Sequence, residues 1–169
     1  MLMKNNPVSF RSRMKEVCFD YLVVLLYLAL LFGVTIVVYH LFFEGIPKMN
    51  ETQSQLIALL TSVIPIIVIF AYLDCARDGS IGKRKADLKV VYKHKSFQAS
   101  VIRNVIKFLP WQLGHMSTIH GIYTDFDVWA IVLFFTSIGF AVLLLLMGLV
   151  RKDKRHLGDL LAHTQVQNQ

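Results

Sequence analysis

The sequence predicts an all-α integral membrane protein, a four-helix bundle with three clear transmembrane helices and one shorter polar helix. Of its 169 residues 55% are hydrophobic, and the mean hydropathy is +0.53, whereas soluble domains are about 45–50% apolar. Three windows, 21–41, 56–73 and 128–150, contain no Asp, Glu, Lys or Arg. Each is close to the roughly 20 apolar residues that a helix needs to cross a hydrocarbon core of about 30 Å. Three such windows in one small chain indicate a multi-pass membrane protein.

The clear transmembrane helices form one membrane domain over residues 1–169 and are expected at about 20–43, 55–75 and 128–150. Pro65 lies in the middle of the second helix, where a neighbouring helix is expected to satisfy the carbonyl that proline leaves free. The loop 76–96 begins with a glycine-containing turn. The alternation of Leu88, Val90 and Tyr92 with other residues then predicts a short strand.

The basic residues predict the orientation of the chain in the membrane. The segment up to Glu16 has four basic residues and one acidic residue, and 77–95 has seven basic and two acidic, whereas the connector 44–54 has one basic and two acidic. Basic segments remain in the cytoplasm, so both termini, the loop 76–96 and the tail 151–169 are expected there. These segments also suit anionic lipid headgroups. The distribution therefore explains the net charge of +7 without a nucleic-acid partner.

The segment 97–114 has two possible placements. Its apolar residues recur at helical spacing, while Arg103 and Lys107 lie one turn apart on another face. The helix either lies flat on the inner surface or crosses the membrane. Crossing is favoured, because it returns the basic tail to the cytoplasm and leaves 115–127 outside. This crossing is expected to be short and broken near Pro110.

Four motifs lie in order around these helices. They are Arg13 with Asp20, Asp78–Arg84 followed by Leu88–Val91, Arg103–Asn104, and Leu157–Val166 with Asp159. In order and spacing they resemble the RDD family of small bacterial membrane proteins, named for one arginine and two aspartates, over residues 13–166. The sequence departs from the usual family residues at Glu16, Asp87, Gly158 (normally histidine) and His163 (normally glycine).

The resemblance implies a multi-pass protein of the bacterial cytoplasmic (inner) membrane. It implies transport, with cation/proton exchange suggested for some members and membrane-assembly roles for others. The chain is therefore expected to transport ions or small solutes, or to act as a non-transporting adaptor, assembly factor or subunit of a larger complex. A transporter of 169 residues is small for alternating access, so a homo-oligomer or a membrane-protein partner is expected.

The expected topology brings the charged motif residues to the inner leaflet. The candidate ligand- or ion-binding residues are Arg13, Asp20, Asp74, Asp78, Arg103 and Asp159. Since ionisable groups at membrane depth are costly and normally paired, Arg103 is expected to contact Asp20 or Asp74. Such a cluster either holds the helices together or binds an ion or substrate, and the sequence leaves both possibilities open.

The chain shows no pattern typical of an enzyme. Its six histidines are scattered without metal-ligand spacing, and His115 and His120 are expected to be ordinary residues of an external loop. Ser117 and Thr118 have no base at a defined spacing. Enzymatic activity, a cofactor and a metal are therefore not expected. Asp125 and Asp127 are expected to favour the start of the last helix through capping.

Overall fold

The computed structural model describes residues 2–169, which are mostly helical. The elements are α1 (Phe10–Phe43), α2 (Glu51–Ala76), α3 (Ile81–Lys85), β1 (Leu88–Tyr92), α4 (Phe97–Thr124), α5 (Val128–Val150), α6 (Leu157–Leu161) and β2 (Thr164–Asn168). Three of these helices, α1, α2 and α5, are long and apolar enough to cross a membrane, as the charge-free windows predicted. With six helices and a small sheet, the described residues form more than the expected four-helix bundle.

Helix α1 begins about ten residues before the expected span. Ser9 is its N-cap and accepts a hydrogen bond from the Ser12 amide at 3.0 Å. The helix therefore includes Arg13, Glu16 and Asp20, which are spaced three and four residues apart and share one buried face. The charges from Arg11 to Asp20 thus lie in the first three turns of the helix.

A π-helical turn, Leu59–Val63, interrupts the α-helical hydrogen bonding of α2 just before Pro65. Proline has no amide hydrogen to donate to the carbonyl four residues earlier, which belongs to Thr61. The Tyr27 hydroxyl of α1 donates to this carbonyl at 2.5 Å. A neighbouring helix therefore satisfies the free carbonyl, as the sequence predicted.

Helix α4 is longer than expected and continuous. It runs through Pro110 to Thr124, so the prediction of a short helix broken near Pro110, followed by a loop from residue 115, was wrong. Its contacts with α5 extend on both sides of the loop that joins the two helices: the Ser137 hydroxyl of α5 donates to the Pro110 carbonyl at 2.7 Å, and the Ser117 hydroxyl of α4 donates to the Ala130 carbonyl at 2.7 Å. Close packing on α5 therefore stabilises the part of α4 from Pro110 onward, where the sequence favours a helix only weakly.

Helix α4 runs antiparallel to α2 along the full length of α2. Near its start Arg103 contacts Asp74 in the last turns of α2. At the other end the Tyr123 hydroxyl donates to the carbonyl of Met49, just before α2, at 2.7 Å. A helix of 28 residues is about 42 Å long at ~1.5 Å per residue. The two helices therefore lie side by side over the whole length of α2.

The predicted strand is confirmed, and it pairs with the C-terminal tail. Strands β1 and β2 are antiparallel, with Val90 opposite Val166. The small hydrophobic core beside this sheet contains Leu88 of β1 and Val8 of the N-terminal segment. The N-terminal segment, the loop 76–96 and the tail 151–169 therefore fold together into one cap at the end of the helices where α1 begins and α5 ends.

Candidate functional site

Eight ionisable side chains from α1, α2, α3, α4 and α6 meet where the long helices join the cap. This ion-pair cluster consists of Arg13, Glu16, Asp20, Asp74, Lys83, Arg103, Lys107 and Asp159. Four carboxylates face four cations, so the cluster is formally neutral. All eight side chains are almost fully buried except that of Lys107, which is 26% exposed. Such burial is tolerated only because every charge has an opposite partner.

Arg103 is the central cation of the cluster. Its Nε donates to Asp159 Oδ1 at 2.6 Å and its Nη1 donates to Asp74 Oδ2. Asp74 Oδ2 also accepts from Asn104 Nδ2 at 3.1 Å, and Asp159 Oδ1 accepts from Thr164 Oγ1 at 2.7 Å. The expected contact of Arg103 with one of two aspartates is confirmed, and the partner is Asp74.

Lys83 occupies the middle of the cluster with no exposed surface. Its Nζ lies 3.3 Å from Glu16 Oε1, 3.3 Å from Asp74 Oδ1 and 3.9 Å from Asp20 Oδ2. It also donates to Ser80 Oγ at 3.1 Å. Burial alone would lower the pKa of Lys83, but the surrounding carboxylates, Asp74 foremost, outweigh it and raise the pKa above its ordinary value. The ammonium is therefore charged.

Asp20 is the carboxylate that pairs with the most exposed cation of the cluster, Lys107. Asp20 Oδ2 accepts from Ser80 Oγ and Lys107 Nζ, both at 2.9 Å, and Oδ1 accepts from the Gly82 amide at 3.0 Å. The Lys107 ammonium lies 4.6 Å from the centre of the Phe70 ring, a cation–π distance. Asp20 and Lys107 thus form the one pair of the described cluster in which the cation is partly open.

Arg13 connects the start of α1 with the tail. Its Nη1 donates to Glu16 Oε2 at 2.9 Å and its Nη2 donates to the Lys154 carbonyl at 2.6 Å. Its Nε is buried and has no hydrogen-bond partner within residues 2–169. A buried N–H without an acceptor costs about 1–3 kcal/mol, so this donor is available to a ligand that reaches it.

His156 and Asp159 close the cluster on the side of the tail. His156 Nδ1 accepts from the Gly158 amide at 3.0 Å, and Nε2 lies 3.3 Å from Asp159 Oδ2. Burial lowers the pKa of His156 to about 4, against the opposing effect of the Asp159 charge. The imidazole is therefore neutral at pH 7, with its proton on Nε2. Burial alone would raise the pKa of Asp159. The charge of Arg103 outweighs this effect of burial, and the pKa of Asp159 is well below its ordinary value.

Two glycines allow the backbones around the cluster to approach closely. A Cβ at Gly82 would lie 2.3 Å from the Glu16 carbonyl oxygen, and one at Gly158 would lie 2.7 Å from the Arg103 carbonyl oxygen. The sequence departs from the family motif at Gly158, where a histidine is usual. In this fold that position has no room for a side chain, because α6 packs directly on α4.

Five of the six candidate residues from the sequence meet in the cluster, and Asp78 does not. Asp78 lies in an exposed turn with a positive φ of 54° and pairs with Lys95 on the surface at 2.6 Å. Sequence reasoning missed the roles of Glu16, Lys83 and Lys107. The three- and four-residue spacing of Arg13, Glu16 and Asp20, and the four-residue spacing of Arg103 and Lys107, were signals for two of them.

A cavity of about 580 Å³ lies between α1, α4 and α5, directly beside the cluster. Its polar lining consists mainly of Arg13, Glu16, Asp20, Arg103, Lys107 and His156. The rest of its wall is almost entirely apolar. The Asp20–Lys107 pair therefore lies at the charged end of a cavity whose remaining wall is apolar.

A layer of apolar side chains separates the cluster from the other half of the helices. This apolar layer consists of Val24, Ile66, Phe70 and Phe108. Trp111 packs against it, and the ring centre of Trp111 lies 5.4 Å from that of His115. The layer is the main barrier between the charged end of the cavity and the polar groups beyond.

Polar groups continue along α4 beyond the apolar layer. His115 Nε2 lies 3.1 Å from Ser62 Oγ in the π-helical turn of α2. His120 Nδ1 lies 2.8 Å from Glu51 Oε1, and His120 Nε2 lies 3.3 Å from Asp127 Oδ1. The expectation of loop histidines was therefore wrong: both are on α4 and contact α2. Capping is confirmed for Asp127, which accepts from the Ala130 amide at 2.9 Å.

Comparison with known proteins gives one match. The model of the RDD family matches residues 7–163, which is nearly the whole chain. No curated protein and no solved structure matches it.

Proposed function

The chain belongs to the RDD family, and from this premise and the arrangement of its polar groups we propose that it is a small membrane transporter that exchanges a cation for a proton. One observation carries the proposal. Along α4, polar side chains face α1 and α2 at three levels: Lys107 with Asp20, His115 with Ser62, and His120 with Glu51. Ionisable residues within membrane helices usually belong to substrate or proton pathways.

The proposal requires α4 to cross the membrane. Since α4 is antiparallel to α2 and contacts both of its ends, it reaches the same two depths as α2. With α1 and α5, four crossings with both termini on one side are therefore part of the proposal. The excess of basic residues in 77–95 and in the tail supports the cytoplasm as that side. The ion-pair cluster then lies at the inner leaflet of the bacterial cytoplasmic membrane.

Exchange at the Asp20–Lys107 pair keeps the cluster neutral. A cation that enters the cavity binds the Asp20 carboxylate in place of the Lys107 ammonium, and Lys107 loses a proton to water. One positive charge arrives as another leaves, so no uncompensated charge remains in the buried cluster. Binding without this release would leave one excess positive charge in a poorly hydrated region, which is strongly unfavourable.

Transfer to the outer half requires the apolar layer to open. Its residues Ile66 and Phe70 lie on α2, within two turns after the π-helical turn, and Ile66 directly follows Pro65. Irregular turns of this kind occur frequently at functional sites. Bending of α2 there would bring the cavity into contact with His115 and Ser62. Two or more copies of the chain would supply the scaffold that one small bundle lacks.

The proposal is tested with purified protein in proteoliposomes. Wild-type vesicles with an imposed pH gradient should take up sodium, potassium or lithium, measured with proton- and cation-sensitive dyes. Asp20→Asn should abolish this flux. Asp78→Asn removes the same charge from an exposed turn and should leave the flux unchanged. Size-exclusion profiles establish that both variants are folded. Wild-type vesicles without flux for these cations and protons would exclude the proposal.

A second function is favoured by the complete pairing of the cluster. Arg103, with 1% of its surface exposed, bonds two carboxylates and holds α2, α4 and α6 together. A cluster that serves only as architecture suits a non-transporting adaptor or a subunit of a larger complex. In that case Asp20→Asn should unfold the protein or release a partner that copurifies with the wild type, and neither protein should carry flux.

A further inference from the structure

The cavity beside the cluster has the polarity of a lipid molecule. Along α1 its lining changes from Arg13, Glu16 and Asp20 to Val24 and Leu28. From Arg13 to Leu28 the distance is about 22 Å at ~1.5 Å per residue. One leaflet contributes about 15 Å of a ~30 Å hydrocarbon core. The cavity is therefore long enough for a headgroup and an acyl chain from the same leaflet.

The apolar wall continues on α4 and α5. Its residues include Phe108, Trp111, Ala141, Leu144 and Leu145. At the mouth of the cavity, Tyr21 and Leu25 of α1 and Leu145 of α5 are exposed. In a membrane this mouth opens sideways into the hydrocarbon region, so a ligand with an acyl chain can enter it directly from the bilayer.

The charged end offers donors to an anionic group. Arg13 is 94% buried, and its Nε lacks a hydrogen-bond partner within residues 2–169. The Lys107 ammonium has three N–H donors, and Asp20 is its one hydrogen-bond acceptor within the described residues. A phosphate oxygen accepts from both cations and suits arginine in particular. Free phosphate would leave the apolar wall uncovered, whereas a phospholipid fills both parts of the cavity.

We propose that this cavity is a specific binding site for one phospholipid of the inner leaflet, with its phosphate at Arg13 and Lys107 and an acyl chain between α1, α4 and α5. The cavity volume of about 580 Å³ lies within the roughly 300–1,000 Å³ usual for small-molecule sites. The site does not depend on transport. A bound lipid would seal the Asp20–Lys107 pair from the hydrocarbon phase, and a cation would reach that pair through the cavity only when the lipid has left.

Trp111 provides a direct measurement, because it lines the cavity. The second tryptophan, Trp129, is replaced by phenylalanine so that Trp111 alone reports. Delipidated protein in detergent micelles is titrated with a phosphatidylethanolamine and, separately, a phosphatidylglycerol that carry brominated acyl chains, which quench tryptophan fluorescence. The expected result is saturable quenching at about one lipid per chain. Arg13→Gln should weaken this binding at least tenfold.

Two glycines of α5 provide matched variants. A Cβ added at Gly148 or at Gly139 meets no atom of residues 2–169 within 4 Å, and of the two only Gly148 lines the cavity. Gly148→Leu should abolish saturable quenching, and Gly139→Leu should preserve it. Both folds are checked by size-exclusion chromatography, so the proposal does not depend on the Arg13 variant alone.

Three results would overturn the proposal. Non-saturable quenching that is equal in both glycine variants would mean contact with bulk lipid only. Displacement of the lipid by millimolar inorganic phosphate, with no requirement for an acyl chain, would assign the charged end to a free anion. Protection of Trp111 that depends on protein concentration would place a second copy of the chain in the cavity. Native mass spectrometry of protein extracted from membranes should show one phospholipid on the wild type and none on Gly148→Leu.

Discussion

Replacing Lys83 with methionine removes the most enclosed cation of the ion-pair cluster without changing the side-chain volume greatly. Its ammonium lies within 4 Å of the carboxylates of Glu16, Asp74 and Asp20, and it has no exposed surface. The variant leaves four buried carboxylates against three cations. Removing one partner of a buried ion pair costs about 3–5 kcal/mol, so Lys83→Met should lower the free energy of unfolding by that amount.

The matched control is Lys95→Met. Lys95 also pairs with an aspartate, Asp78, but both side chains are at least half exposed. Exposed pairs contribute about 0.2–1 kcal/mol, so this variant should be close to the wild type. Equilibrium unfolding in mixed micelles with increasing SDS measures both. Adding Glu16→Gln to Lys83→Met restores neutrality and should recover part of the loss. Equal effects of the two lysine variants would refute the argument that burial gives Lys83 its importance.

Three further predictions concern topology, close packing and pH. A cysteine at Asp125 should react with a membrane-impermeant reagent from outside the cell and one at Lys154 should not, because in the proposed topology α4 carries the chain outward and α5 returns it. Gly82→Ala should destabilise the protein by about 1–3 kcal/mol, because the added Cβ would lie 2.3 Å from the Glu16 carbonyl oxygen. A Cβ added at Gly33 would have no atom of residues 2–169 within 4 Å. Gly33→Ala should therefore stabilise α1 by about 0.5–1 kcal/mol. As pH falls from about 6.5 to 4, the unfolded chain takes up a proton at His156 before the folded chain does. Stability should therefore fall across this window by about 3 kcal/mol, and His156→Gln should flatten that part of the profile.

Each of these predictions has an outcome that contradicts it. External labelling at Lys154 would mean that α4 does not cross the membrane. Equal melting temperatures for the Gly82 and Gly33 variants would mean that α3 and α1 have room to separate. An unchanged profile in the His156 variant would assign the acid sensitivity to other groups.

The apolar spans could be predicted because their signal is local. A helix in lipid needs a long run without charge, and windows such as 128–150 show this directly; α5 has these bounds. The strand at 88–92 could also be predicted, since the alternation of apolar with other side chains is a local property of the sequence. The contact between Arg103 and Asp74 could be predicted from the expected topology. Antiparallel packing brings the end of α2, with Asp74, beside the start of α4, with Arg103.

The features that the sequence did not predict depend on distant partners. Helix α4 continues past Pro110 while α5 packs beside it, with Ser137 of α5 bonded to the Pro110 carbonyl. The pairing of β1 with β2 joins segments about 70 residues apart, so no local pattern indicates it. Asp78 and Lys83 lie in one short basic segment, and the turn at Asp78, with its positive φ, and helix α3 after it place the lysine inside and the aspartate on the surface.

Accessibility divides the ion-pair cluster into a closed part and an open part. Arg103, Asp74 and Asp159 are at most 1% exposed, and Arg103 ties α2, α4 and α6 together through both carboxylates. Replacing any of them leaves one uncompensated charge in the buried cluster, so their loss would reveal architecture rather than transport. Asp20 and Lys107 differ, because Lys107 is partly exposed and both line the cavity. A cation can approach this pair without separating the helices, and it is therefore here, rather than at Arg103, that chemistry and stability can be separated by substitution.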